Sequence, residues 1–149
     1  MLEPLPNVEH NAMGSSKPIL LKIGEVAAQS GVPIKTIRYY EQLGLLTIAH
    51  RTEGNFRLFN QSAISRLAFI KRLQALGLSL QEIGECLTIY DDGCLPCENI
   101  QQKLQERVSK IDLQVSELME LRGELTNLLQ EWSLAPDRQD GVICPNLEV

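Results

Sequence analysis

A mainly α-helical chain is predicted: a winged helix-turn-helix head, then one long helix of coiled-coil type, then a short C-terminal loop. Three observations predict it. Two short helical stretches meet at the glycine-containing turn Ser30-Gly31-Val32-Pro33. An alternating stretch, Arg51 to Phe59, surrounds Gly54. Apolar residues then recur at coiled-coil spacing from Ile100 to Trp132 with no proline among them. A length of 149 residues suits one such head plus one extension and is too short for two large domains. With 44% apolar residues the chain can bury a core, which argues against wholesale disorder.

Residues 1–18 hold three prolines and a Gly-Ser-Ser stretch without periodicity, and are predicted to be a disordered tail. Ile23 opens the first helix, with Ile23, Val26 and Ala27 on one face and Gly31 as the stop. Pro33 suits the first turn of the second helix, where its missing N–H costs nothing; this helix runs to about Leu43 and ends at Gly44. A hairpin with its turn centred on Gly54 forms the wing. Asn60 is placed to cap a third helix, reaching to about Leu76, with Ile64, Leu67, Ile70, Leu73 and Leu76 toward the core and Gly77 ending it. Ser79-Leu80-Gln81-Glu82 is a capping box opening a fourth helix that ends near Ile89. Asp91-Asp92-Gly93 is a loop, and Pro96 marks the next helix start.

From Cys97 to Trp132 the apolar positions Ile100, Leu104, Val108, Ile111, Val115, Leu118, Leu125, Leu129 and Trp132 are spaced by 4, 4, 3, 4, 3, 7, 4 and 3. Such a helix is about 54 Å long at about 1.5 Å per residue, and the rest of the chain is too short to cover its stripe. It needs a partner, most simply the same helix of a second copy, which makes a homodimer. The expected organisation is therefore a tail (1–18), a winged helix-turn-helix domain (19–90), a linker with the dimerisation helix (91–132) and a C-terminal effector loop (133–149).

Charge is unevenly placed. The net charge is −5, yet residues 22–77 carry eight basic side chains against three acidic, a net +5, whereas residues 78–149 carry five against fourteen, a net −9. A basic head on an acidic extension points to double-stranded DNA as the head's partner. A recognition helix reads base edges and phosphates with polar, basic and aromatic groups; Lys35, Thr36, Arg38 and Tyr39 supply them on the second helix, and Arg51, Asn55 and Arg57 on the wing, with Arg57 the strongest phosphate candidate. No apolar run approaches membrane-spanning length and the first residues lack a signal's charged start and apolar core, so no membrane is involved and a cytoplasmic protein is expected. No phosphate loop, nucleophile elbow or catalytic carboxylate pair occurs, so no enzyme is expected.

Four cysteines occur, Cys86, Cys94, Cys97 and Cys144. In a cytoplasmic protein clustered cysteines point to metal or redox chemistry. Cys94-Leu95-Pro96-Cys97 is a C-x-x-C whose thiolates can reach one ion, and Cys97 heads the long helix, where free N–H groups stabilise negative charge. Cys86, beside Ile83 and Leu87, is expected to be a buried small hydrophobe. A redox pair of Cys94 and Cys97 is the competing reading. A sensor of organic molecules needs a larger effector domain than the 17 residues after the helix.

Four ordered segments, Lys22-Ile23-Gly24-Glu25-Val26-Ala27, Thr36-Ile37-Arg38-Tyr39-Tyr40-Glu41, Arg51-Thr52-Glu53-Gly54-Asn55-Phe56-Arg57 and Gly77-Leu78-Ser79-Leu80-Gln81-Glu82-Ile83, resemble the pattern of the mercury-resistance-regulator (MerR) family, over about residues 22 to 132. The resemblance implies a transcription regulator: a homodimer joined by antiparallel long helices, bound to a palindromic promoter operator, which on effector binding distorts the DNA so that RNA polymerase engages both promoter elements. It implies operator contacts from Arg38 and Tyr39 and a core place for Tyr40. Cys97 resembles the cysteine that metal-sensing relatives carry at the head of this helix, where relatives for monovalent copper or silver usually have serine, which leans toward a divalent ion. Cys144, in Gly141-Val142-Ile143-Cys144-Pro145, resembles the second loop cysteine of mercury, zinc, cadmium and lead sensors. The earlier loop cysteine is absent, Glu131 to Asp137 standing in its place. Cys94 can fill that gap. Cys94 and Cys97 of one copy with Cys144 of the other then give three soft ligands for a thiophilic divalent ion, Hg²⁺, Cd²⁺, Pb²⁺ or Zn²⁺.

Overall fold

The computed structural model describes residues 18–148, so the expected N-terminal tail lies, but for Pro18, outside the described residues. The elements run β1 (Leu20–Lys22), α1 (Ile23–Ser30), α2 (Ile34–Gln42), β2 (His50–Arg51), β3 (Arg57–Asn60), α3 (Ser62–Ala75), α4 (Leu80–Asp91) and α5 (Cys97–Gln130).

End chemistry sets the helix boundaries. The Glu25 carboxylate accepts the Lys22 amide at 2.7 Å, occupying a donor the first turn of α1 leaves free. Gly31, at φ 72°, closes α1 by donating its N–H to the Ala27 carbonyl. Pro33 stands just ahead of α2 rather than inside it. The box before α4 forms as its sequence predicts: the Ser79 amide donates to Glu82 Oε2 at 2.8 Å and the Glu82 amide to Ser79 Oγ at 3.2 Å. The α4 helix runs on to Asp91, past the expected end at Ile89.

The wing is one strand larger than expected. The sheet has the order β1-β3-β2 and is antiparallel throughout. Leu21 faces Phe59 across it, and both are buried. Within the hairpin turn the left-handed residue is Asn55, at φ 62°, not Gly54; Asn tolerates that backbone better than other side-chain-bearing residues. Pairing with Leu20 draws Asn60 into β3, so Asn60 does not cap α3, which starts at Ser62 after Gln61 with no side-chain cap. Leu76 also departs from expectation. It lies beyond the end of α3 and is exposed, because Gly77 at φ 91° turns the chain and gives the core place to Leu78.

Val26, Ile37, Leu46, Phe59, Leu67, Ile70, Ile83 and Cys86 are fully buried and knit all the head's helices to the sheet. Ile100 and Leu104, in the first turns of α5, pack against this core. No residue of α5 is itself buried. At about 1.5 Å per residue its 34 residues span about 51 Å, and Val108, Ile111, Val115, Leu118, Leu125 and Leu129 stand exposed along it. Trp132 lies two residues past the helix end. No helix among the described residues is long and apolar enough to cross a membrane.

Candidate nucleic-acid interface and effector thiols

On α2 the buried face is Ile37 and Tyr40, and the Tyr40 hydroxyl donates to Gln74 Oε1 of α3 at 2.9 Å. Two anchors on one side leave the other side free. Lys35, Arg38 and Tyr39 are exposed there, at the three- and four-residue spacings that share a helix face; Thr36 is half-buried beside them. Tyr39 and Tyr40 have been separated by the fold into a displayed ring and a core ring.

The wing is tied to this helix. Arg57 Nε donates to Glu41 Oε2 at 3.0 Å, with both side chains largely covered. Arg57 is expected to be the strongest phosphate contact, and its Nε also holds the wing to α2, with no bond from its terminal nitrogens among the described residues. Arg51 Nη1 donates to the Asn55 carbonyl at 3.2 Å and to Asn55 Oδ1 at 3.4 Å, stiffening the turn, and Asn55 is exposed at its tip. Behind the helix-turn-helix, Lys71 Nζ reaches the Ser30 carbonyl at 3.4 Å. The fold thus gathers the six basic and polar groups of helix and wing and Tyr39 on one module and gives two of the arginines structural partners.

The thiols are distributed differently. Cys94 is exposed in the loop between α4 and α5, Cys97 is the exposed first residue of α5, and Cys144 is half-exposed in the tail. All four cysteines are free. Cys97 opens a shallow trough of about 730 Å³ whose other walls are Ile100, Gln101, Leu104, Gln105, Val108 and Ser109, so the thiol stands at the head of the apolar seam. The tail is clipped to itself: the Ser133 amide donates to Asn146 Oδ1 and Asn146 Nδ2 donates back to the Ser133 carbonyl. Among the described residues no three His, Cys, Asp or Glu side chains of one copy come together as an ion site. Almost the whole length of α5 separates Cys97 from the tail that carries Cys144. Cys86 is buried, and its Sγ donates to Asn99 Oδ1 at 3.3 Å; burial pushes this thiol above its ordinary value.

One tie escaped the sequence altogether. Arg66 of α3 donates Nε to the Leu45 carbonyl, just past α2, and its two terminal nitrogens to both oxygens of Asp91 at 2.7 and 2.9 Å. Arg66 and Asp91 line a cavity of about 640 Å³ together with Phe69, Tyr90, Leu95 and Cys97. The segment just past α2 and the last residue of α4 therefore share one guanidinium.

The family profile described as MerR HTH family regulatory protein matches residues 21–88, and that described as MerR, DNA binding matches residues 64–128. The mercuric resistance operon regulatory protein of Bacillus cereus is 35% identical over 127 residues, covering 85% of this chain and 94% of the relative. The ZntR homolog of Haemophilus influenzae, an HTH-type transcriptional regulator, is 36% identical over 111 residues, covering 74% of this chain and 82% of the relative. Among solved structures, the transcription regulator PbrR691 from Ralstonia metallidurans in complex with lead(II) superposes with a TM-score of 0.67 at 31% identity, covering 80% of this chain and 93% of that one.

Proposed function

Because the chain belongs to the metal-sensing branch of the MerR family of helix-turn-helix transcription regulators, we propose that it binds a palindromic promoter operator as a homodimer and activates transcription by distorting the DNA when a thiophilic divalent ion is held at the seam between its two copies. The observation that carries this reading is the position of Cys97 at the head of an uncovered apolar seam. Water is a poor neighbour for so many exposed Val, Ile and Leu side chains. Each residue of this kind gains about 1.5–3 kcal/mol on full burial, so pairing of two α5 helices is strongly favoured. An antiparallel pair sets the tail of one copy beside the cysteine loop of the other, and Cys94 and Cys97 then meet the second copy's Cys144.

Those three residues fit the ion by donor chemistry. Three sulfurs with no histidine near them suit Hg²⁺, Cd²⁺, Pb²⁺ or Zn²⁺ better than hard cations. The positive ion supplies the charge that draws the two copies' loops together. Lys35, Thr36, Arg38 and Tyr39 read the operator, Arg51 and Asn55 meet its backbone, and Arg57 holds the wing. RNA polymerase profits from the altered promoter without needing a contact of its own. A thiol redox response through Cys94 and Cys97 is the competing reading, favoured by both thiols being exposed and unbonded.

Anaerobic titration of the purified protein with each of the four ions separates the two readings. The expected result is two ions per dimer, one at each symmetry-related site, with a thiolate charge-transfer band that Cys97→Ser abolishes and Cys86→Ala leaves intact. Promoter output that instead follows reversible Cys94–Cys97 disulfide formation, with no ion bound, would establish the redox reading.

A further inference from the structure

We propose that Phe56, at the tip of the wing, is a DNA contact whose ring lies on the deoxyribose faces of the operator backbone; this rests on the reading of the head as operator-binding. Phe56 is 70% exposed, more than any other described aromatic. From Gly44 to Ala75 it is the one exposed large apolar side chain among the described residues. The head's core does not use it, since Phe59 of the same segment already fills the interior.

The turn that carries the ring is nevertheless fastened. The Phe56 amide donates to Thr52 Oγ1 at 3.1 Å, and the Thr52 amide donates to the Phe56 carbonyl at 2.9 Å. The Asn55 amide closes the turn on the Thr52 carbonyl at 2.8 Å. The ring itself lies over Gly54, so close that a Cβ there would stand 3.0 Å from a ring carbon. A side chain at position 54 would crowd the ring by a few tenths of an ångström, whereas the left-handed backbone falls on Asn55. A turn fastened at both ends has met the ordering cost of its backbone before any partner arrives, and it presents the aromatic on its outer surface.

The surroundings select the partner. Arg51 and Arg57 flank the ring in sequence on the paired strands, with Glu53 the one acid of the turn, and between Gly44 and Ala75 no other exposed large apolar side chain occurs among the described residues to build a protein-docking patch. A lone apolar ring among cations matches a surface that alternates phosphate with sugar, and the apolar face of deoxyribose is the part that cations leave unmatched.

The test uses a duplex selected by the wild-type protein from a randomised pool, with affinity read by fluorescence anisotropy across a salt series. Phe56→Ala is expected to weaken binding roughly tenfold, from the apolar area lost, with the slope of affinity against salt unchanged because no phosphate contact is removed. Arg51→Ala, as comparison, is expected to lower that slope by about 1. Phe56→Leu should recover most of the loss, and since the ring is exposed both variants should melt with the wild type. Binding by Phe56→Ala within twofold of wild type, or a slope that falls with the affinity, overturns the contact while leaving the operator reading intact. A wild-type protein that selects no duplex would overturn both.

Discussion

Replacing Arg66 by Ala removes three hydrogen bonds at once, and their geometry predicts how the loss divides. The Nε bond to the Leu45 carbonyl lies on a side chain that is 19% exposed, whereas the carboxylate of Asp91 is 53% exposed. Solvent therefore screens the ion pair, which contributes about 0.5–1 kcal/mol despite its two-point geometry. The Leu45 carbonyl loses a charged donor, worth about 1–1.5 kcal/mol once partial exposure is allowed for. Arg66→Ala is thus expected to cost about 2 kcal/mol and Asp91→Asn under about 1 kcal/mol. The double variant should match Arg66→Ala, because the carboxylate has no other partner to lose. Urea unfolding at a fixed dimer concentration measures all three. Acid provides an independent check. The Arg66 hydrogen bond holds the Asp91 carboxyl below its ordinary value, so its contribution is present above the unfolded value of about 3.9 and is lost as pH falls below it. The difference between wild type and Asp91→Asn should therefore vanish in acid. Equal losses for Arg66→Ala and Asp91→Asn at neutral pH would refute the division, since they would leave nothing for the Leu45 bond.

Two further outcomes are expected. Arg38→Ala should weaken duplex binding by roughly tenfold or more without changing the urea midpoint, because Arg38 is exposed and makes no hydrogen bond among the described residues; gel shift and unfolding curves on the same preparation check both halves. Native protein treated with a thiol-alkylating reagent should lose Cys94 and Cys97 promptly and Cys86 only as fast as it unfolds, because the Cys86 thiol is buried and held protonated; mass spectrometry of timed digests reads each site.

The head was legible wherever a local rule decides. Gly31, Gly44 and Gly77 end or redirect helices because each adopts a backbone that costs other residues energy, and Ser79 with Glu82 opens α4 through groups three residues apart. The strand β1 was not legible: three residues with one buried side chain carry no period, and only Phe59, distant in sequence, makes Leu20–Lys22 a strand. The Asn60 cap failed for the same reason, since the ladder with β1 had a prior claim on that residue. Arg57–Glu41 and Arg66–Asp91 join positions 16 and 25 residues apart, and charge has no periodicity that would single them out from their solvated neighbours.

The effector side follows a different logic. The positions of Cys94, Cys97 and Cys144 were legible, but their assembly is not a property of one chain: α5 carries the first two away from the third, and no three-ligand group forms among the described residues. What one chain does specify is the excess of apolar surface along α5 that it cannot bury. That excess is fixed by composition and spacing, and it demands a second helix whatever the ion. If two copies pair along α5 as proposed, the contact that removes the seam from water also decides which thiols meet, and an ion that favours the set would favour the pair. By linkage the reverse would hold as well: whatever tightens such a pairing would tighten the grip on the ion. Arg66 offers such a coupling a physical route toward α2, because its one planar group is bonded both to the carbonyl just past α2 and to the last residue of α4, from which the loop carrying Cys94 departs.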